Sequence, residues 1–314
     1  MLRACFKDKE PAVQFVFSLM VVFSAWLLFQ LIAIGTGSWL FDVKFDEIQT
    51  VLSDLNSEKA IAYQKYLQSV ISIGMFIIAP LLTSYFLYEN IWDFLEMKHH
   101  PGIVVIFLVC ILMVLALPMN NFFTSINGQL DTSGISESLQ NYFEDKESQA
   151  EKLFENFLGV TGIVPLLINL LIIAVIPGIG EELLFRGVLQ KILIRWTKNT
   201  FAGVLITSLA FALLHFQFLS VLPRFVLGMI LGYLFVWTRS LWMPILAHFI
   251  NNALAVLYYY LFYNGMTGTG MENIGTPEYF PLYGMVSILS TGVILWFIQG
   301  IMRKKINQTQ HVKS

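Results

Sequence analysis

Long apolar blocks separated by short polar stretches pattern the chain from end to end. A membrane-crossing helix needs about 20 mostly apolar residues. Eight blocks approach or exceed that length: roughly Val13–Gly35, Leu67–Tyr88, Gly102–Leu117, Val160–Phe185, Ala202–Leu219, Val221–Trp237, Leu241–Phe262 and Leu282–Ile301. The third is short and ends at Pro118, and only Ser220 separates the fifth from the sixth, with Pro223 close behind. The pattern predicts an all-α fold, a polytopic membrane helix bundle of about eight transmembrane helices. Between the third and fourth blocks, Asn120 to Phe157 is polar and acidic. Within it Leu139, Tyr142, Phe143, Leu153, Phe154 and Phe157 recur at near-helical spacing, which predicts an amphipathic helix on the outer interface. Three regions follow: an N-terminal transmembrane region (1–158), a polar-bearing core (159–262), and a last outer loop, span and basic tail (263–314).

Composition agrees with the pattern. Of 314 residues 56% are hydrophobic and 13% charged, against about 25% charged in a soluble domain; the mean hydropathy is +0.68. Cys5 and Cys110 offer neither a disulfide framework nor a paired-cysteine metal site. The first block is longer than a signal-peptide core and no clear cleavage site follows it, so it is expected to be a span. The lipid bilayer is the expected environment, a cell membrane, and no nucleic-acid partner is expected.

The charges are sorted by side. With the N-terminus in the cytoplasm, Arg3, Lys7, Lys9, Lys98, Lys191, Arg195, Lys198, Arg239, Arg303, Lys304, Lys305 and Lys313 fall on one face, and Lys44, Lys59, Lys65, Lys146, Lys152 and Arg224 on the other. The second face carries the acidic loops, including Asp42, Asp46, Asp54, Asp131, Glu144 and Glu147. By the positive-inside rule both termini are expected in the cytoplasm. Arg224, near the outer end of its span, reads as snorkelling to the interface.

A few polar groups remain inside the spans: Glu181, Glu182, Arg186, His215, His248, Asn251 and Asn252. Ionisable groups at that depth are costly and mark functional sites. Counted from the basic ends of their helices, Glu181, His215 and His248 lie about 15, 21 and 14 Å into a core about 30 Å thick, so three helices bring them to similar heights. Glu182 and Arg186 are i,i+4 and can pair; Glu181 is turned about 100° away and stays free. His248 and Asn252 are also i,i+4. Pro177, Gly178 and Gly180 weaken the helix just upstream, and Phe211 lies one turn from His215.

This set suits peptide hydrolysis. A carboxylate and an imidazole around one water form a general base, and adjacent His and Asn side chains can donate to the oxyanion of a tetrahedral intermediate. The motifs Glu181-Glu182-x-x-x-Arg186, Phe211-x-x-x-His215 and His248-x-x-x-Asn252, in that order on successive spans, with Gly187 following the arginine, resemble the CAAX protease and bacteriocin-processing enzyme family, whose eukaryotic members are the type II CAAX prenyl endopeptidases. The resemblance covers roughly residues 160–260. It implies an intramembrane endopeptidase in which Glu181 and His215 activate water, Glu182 pairs with Arg186, and His248 and Asn252 form the oxyanion hole. No cofactor is implied; a divalent metal such as zinc held by Glu181, His215 and His248 is the alternative. The expected partner is a peptide or membrane-anchored protein substrate, and the small loops look like a bacterial inner-membrane member. Two other classes stay open: a non-catalytic scaffold or bacteriocin-immunity protein, and a proton-coupled transporter, against which the missing inverted repeat argues.

Overall fold

The computed structural model describes residues 3–54, 57–129, 136–268, 270 and 273–311. Asp131 and Lys313, two of the sorted charges, lie outside the described residues. The main helices are α1 (Pro11–Phe41), α2 (Glu58–Leu87), α3 (Ile103–Leu115), α4 (Leu117–Gly128), α5 (Glu137–Leu158), α6 (Ile163–Thr197), α7 (Thr200–Leu213), α8 (Val221–Thr238), α9 (Trp242–Tyr263) and α10 (Pro281–His311). Strands are absent among the described residues.

Helices α1, α2, α6, α8, α9 and α10 are each long and apolar enough to cross a bilayer, and the chain is a polytopic integral membrane protein. Two of the eight expected blocks differ from a full span. The third is α3, which ends at Leu115; after a 42° bend the chain continues as α4 from Leu117, and the two are long and apolar enough for a span only as a pair. Proline sits in the first turn of α4, where its missing N–H costs nothing. The fifth block, expected over Ala202–Leu219, is helical only through Leu213. At 14 residues α7 is about 21 Å long, shorter than the hydrocarbon core. It ends because Phe216 takes a left-handed backbone (φ 52°), after which a short 3₁₀ turn leads into α8. Six helices therefore qualify as spans, or seven with the bent pair.

Helix α6 is the central element. Its Leu184, Phe185 and Leu189 pack with Val22 and Ala25 of α1, Ala79 of α2 and Phe211 of α7. On another face, Leu183, Val188 and Ile192 meet Leu87, Leu95 and Leu241. A third cluster joins α3, α8, α9 and α10 through Val109, Leu112, Leu231, Ala247 and Ile298. The peripheral α1 and α10 turn large side chains outward, Leu31 at 71% and Trp296 at 66% exposed. Such surfaces are tolerable only against lipid. The amphipathic segment is the single helix α5, which buries Phe157 and Leu158 at its end.

Candidate functional site

The site is built around an irregular stretch of α6. Two wide, π-helical turns, Leu170–Val175 and Leu183–Gln190, flank a short regular segment, Ile176–Glu182. Such insertions shift side-chain register and recur at functional sites. Pro177 has no N–H to offer the carbonyl four residues back, that of Ile173. The Asn252 side chain of α9 donates to that carbonyl instead, Nδ2 to O 2.9 Å. Asn251 Nδ2 in turn donates to Asn252 Oδ1 at 3.1 Å, which fixes the amide orientation.

One turn further, Glu182 and Arg186 are fully buried. Arg186 Nη1 donates to Glu182 Oε1 at 2.7 Å, and His248 Nδ1 lies 2.9 Å from the same oxygen. An ionised carboxylate only accepts, so this contact places a proton on Nδ1 and leaves Nε2 as the free ring nitrogen. Arg186 Nη2 donates to Gly228 O (3.1 Å), and one turn on Gln190 Nε2 donates to Gly232 O (3.1 Å). The two bonds tie α6 to α8 along a glycine face. Close approach also sets the α6–α9 distance: a Cβ on Gly178 would lie 3.2 Å from the Phe249 backbone N, the residue after His248.

His215 lies in the turn where α7 stops, and its Nδ1 is 2.8 Å from Phe211 O. A carbonyl can only accept, so Nδ1 again carries the proton and Nε2 the lone pair. The Phe211 ring is the common neighbour. It contacts the His215 and His248 rings (centroids 5.1 and 5.7 Å apart) and lies 4.8 Å from the Arg186 guanidinium. Glu181 Oε2 is buried and accepts no hydrogen bond from the described residues. Its carboxylate is within electrostatic range of His248, Glu182, Arg186 and Arg224.

Of the six sequence-derived residues, the fold joins Glu182, Arg186 and His248 directly, sets the Phe211 ring against both His248 and His215, and brings Glu181 within electrostatic range of His248. Glu182 bonds His248 as well as Arg186, and Asn252 engages the α6 backbone. Arg224 is held at the start of α8: Nη1 donates to Ser220 O (3.2 Å), Nη2 to the Gln217 side chain, and it reaches both Glu181 and Glu147 electrostatically. Glu147 of α5 accepts from Ser220 Oγ at 2.5 Å. Sequence reasoning set Arg224 aside, although a lone cation inside an apolar block was the signal. It also passed over Gln190, whose place one turn after Arg186 was visible. Among the described residues no three His, Cys, Asp or Glu side chains are grouped as metal ligands.

Comparison with known proteins points to the same helices. A family model described as "Type II CAAX prenyl endopeptidase Rce1-like" matches residues 163–254, which run from the start of α6 into α9. "Uncharacterized protein YpbD" of Bacillus subtilis is 36% identical over 89 residues, 27% of this chain and 42% of that protein. "Putative membrane peptidase YdiL" of the same organism is 28% identical over 186 residues, 52% of this chain and 73% of the relative. An Escherichia coli "Uncharacterized 24.3 kDa protein" is 28% identical over 113 residues, 35% of this chain and 52% of its own length. The first and third matches thus span about half of those relatives or less. No solved structure matches the chain. From α6 into α9, the helices that carry Glu181, His248 and Asn252 with His215 in the turn between α7 and α8, this membrane protein is similar to the type II CAAX prenyl endopeptidase Rce1-like family.

Proposed function

We propose that the chain is a CAAX-protease-like intramembrane endopeptidase that hydrolyses a peptide bond in a peptide or membrane-anchored protein. The observation that supports the reading is the buried Glu181 oxygen with no hydrogen-bond partner among the described residues, within electrostatic range of His248, whose Nε2, like that of His215, makes no hydrogen bond there. Glu181 and the His215 Nε2 lone pair take the proton from water as it attacks the scissile carbonyl. The oxyanion that forms is held by the second Nδ2 hydrogen of Asn252 and by His248, whose Nε2 donates when the ring is doubly protonated. Glu182, anchored by Arg186, orients His248 and balances its charge. The proton taken by Glu181 and His215 then goes to the leaving amine.

A second reading is favoured by the Glu182–His248 contact itself. A carboxylate on Nδ1 with Nε2 free is the arrangement of a base and its orienting acid, which would make His248 the proton acceptor. Cleavage of quenched-fluorescence peptides, prenylated and not, by the purified protein tests both. In the first reading Glu181→Gln and His215→Ala abolish turnover with folding intact, while His248→Gln, which keeps a donor, retains a measurable fraction. Full loss in His248→Gln with activity surviving in Glu181→Gln reverses the assignment.

A further inference from the structure

A second cavity lies at the other end of the bundle. Because α6, α7 and α8 alternate in direction, the last turn of α6 and the end of α8 lie opposite the His215 turn and α5. Between them is a cavity of about 700 Å³, within the range of ligand pockets (about 300–1,000 Å³), whose wall includes Tyr88, Phe94, Lys191, Arg195, Phe235 and Arg239. It shares none of these residues with the Glu181–His215–His248 cluster.

Charge accounting identifies what would occupy it. Three carboxylates line the cavity, and each has a cation of its own. Glu89 holds Lys7 at 2.9 Å, Glu96 holds Lys191 at 3.3 Å, and Asp93 holds Lys98 at 2.7 Å. Two guanidinium groups are left over. Arg195 donates through Nη2 to the neutral Gln14 Oε1 (2.6 Å) and lies 5.7 Å from the Tyr88 ring. The Arg239 side chain makes no hydrogen bond or ion pair with the described residues, and its left-handed backbone (φ 49°) ends α8 at the rim. The wall beneath is aromatic, with Tyr88 stacked on Phe94 at 3.9 Å and Phe235 buried behind them.

Two unneutralised arginines above an apolar wall, between helices at the end of a membrane bundle, match a phosphate-bearing anion. Guanidinium recognises phosphate through paired N–H donors, and basic pockets between transmembrane helices receive anionic lipid headgroups. Exposed Trp92 (52%) and Trp196 (48%) stand on the neighbouring turns, the position of an interfacial aromatic belt. We infer that Arg195 and Arg239 form a phosphate-anion site at this end of the bundle, separate from the hydrolytic cluster. Its ligand is either a phospholipid headgroup or a soluble phosphate monoester.

The full chain in nanodiscs of phosphatidylcholine, with and without phosphatidylglycerol, distinguishes the sources, with a parallel titration of glycerol 1-phosphate into the lipid-neutral sample. Arg239→Gln is the main variant, since the exposed, unpartnered side chain can be removed without disturbing the fold; Arg195→Gln is the second. Each change removes charged hydrogen-bond donors from the anion and is expected to weaken binding by about tenfold or more. Phosphatidylglycerol raising the melting temperature of wild type but much less that of Arg239→Gln supports the site with a lipid source. The same pattern with glycerol 1-phosphate alone supports it with a soluble source. Equal response of wild type and both variants, or no response to either anion, overturns it.

Discussion

Asn252 Nδ2 sits 2.9 Å from the Ile173 carbonyl, four residues before Pro177. The proline withholds the backbone N–H that a regular helix would supply, and a side chain from α9 supplies one instead. This gives Asn252 structural work on top of the oxyanion role proposed for it, and the two can be separated. Asn252→Ala should lower stability by about 1–3 kcal/mol, the cost of a buried group left unsatisfied. Pro177→Ala restores an N–H to Ile173, so in that background the stability cost of Asn252→Ala should shrink while the turnover defect persists at about 10²-fold or more. Thermal unfolding in detergent and peptide cleavage on the four proteins of the cycle measure both. An undiminished stability cost would show that the Ile173 bond is not what Asn252 contributes.

Glu182 is the hub of the buried charges, one oxygen accepting from Arg186 and contacting His248. Removing one partner of a buried pair typically costs about 3–5 kcal/mol, because the other charge is left desolvated, whereas replacing both with apolar groups can be neutral. Glu182→Ala is therefore expected to unfold readily, and Glu182→Leu with Arg186→Met to recover most of the stability but no activity. Denaturant or heat unfolding of single and double variants reads this directly. A double variant no more stable than Glu182→Ala would contradict it.

Much of this was legible in the sequence because it follows from spacing. The i,i+4 relation of Glu182 and Arg186 foretold their contact, and the apolar blocks foretold the bundle. What spacing could not reveal were contacts between helices. His248 meeting Glu182 depends on how closely α6 and α9 approach, which the bare glycine at 178 allows. The shortness of α7 was hidden because Leu213 to Leu219 stays largely apolar while the backbone turns away at Phe216. The partners of Arg224 were hidden for a related reason: its depth indicated the interface, but what it meets there depends on the turn at Gln217–Ser220.

Gly178 is where that approach can be tested. A Cβ there would sit 3.2 Å from the Phe249 backbone N and 3.3 Å from its Cα, backbone atoms that cannot move alone. Gly178→Val should push α9 outward and carry His248 away from Glu182. Overpacking of this kind costs about 1–3 kcal/mol, and a misplacement of about 1 Å at a reacting group costs on the order of 10²-fold in rate. Turnover should fall more steeply than stability, seen as a kcat loss of about 10²-fold in protein still folded at the assay temperature. Wild-type kcat in the valine variant would mean that this contact does not position the site.

The choice between a base and a metal ligand turns on the two free Nε2 atoms. Nδ1–H on a carboxylate or a carbonyl orients an imidazole equally well for proton transfer or for a metal, so His248 on Glu182 and His215 on Phe211 O serve either chemistry. The third ligand decides. A catalytic zinc site needs three protein donors converging within about 2.0–2.3 Å of one point, so Glu181 would have to meet both rings there. The proposed Glu181–His215 mechanism therefore predicts that hydrolysis survives prolonged dialysis against a strong chelator and that added zinc gives no increase. Metal analysis of the active protein should find well under one equivalent. Activity lost on chelation and restored by stoichiometric zinc would require Glu181 to swing onto both Nε2 atoms, and would turn the same residues into ligands of a metal-bound water.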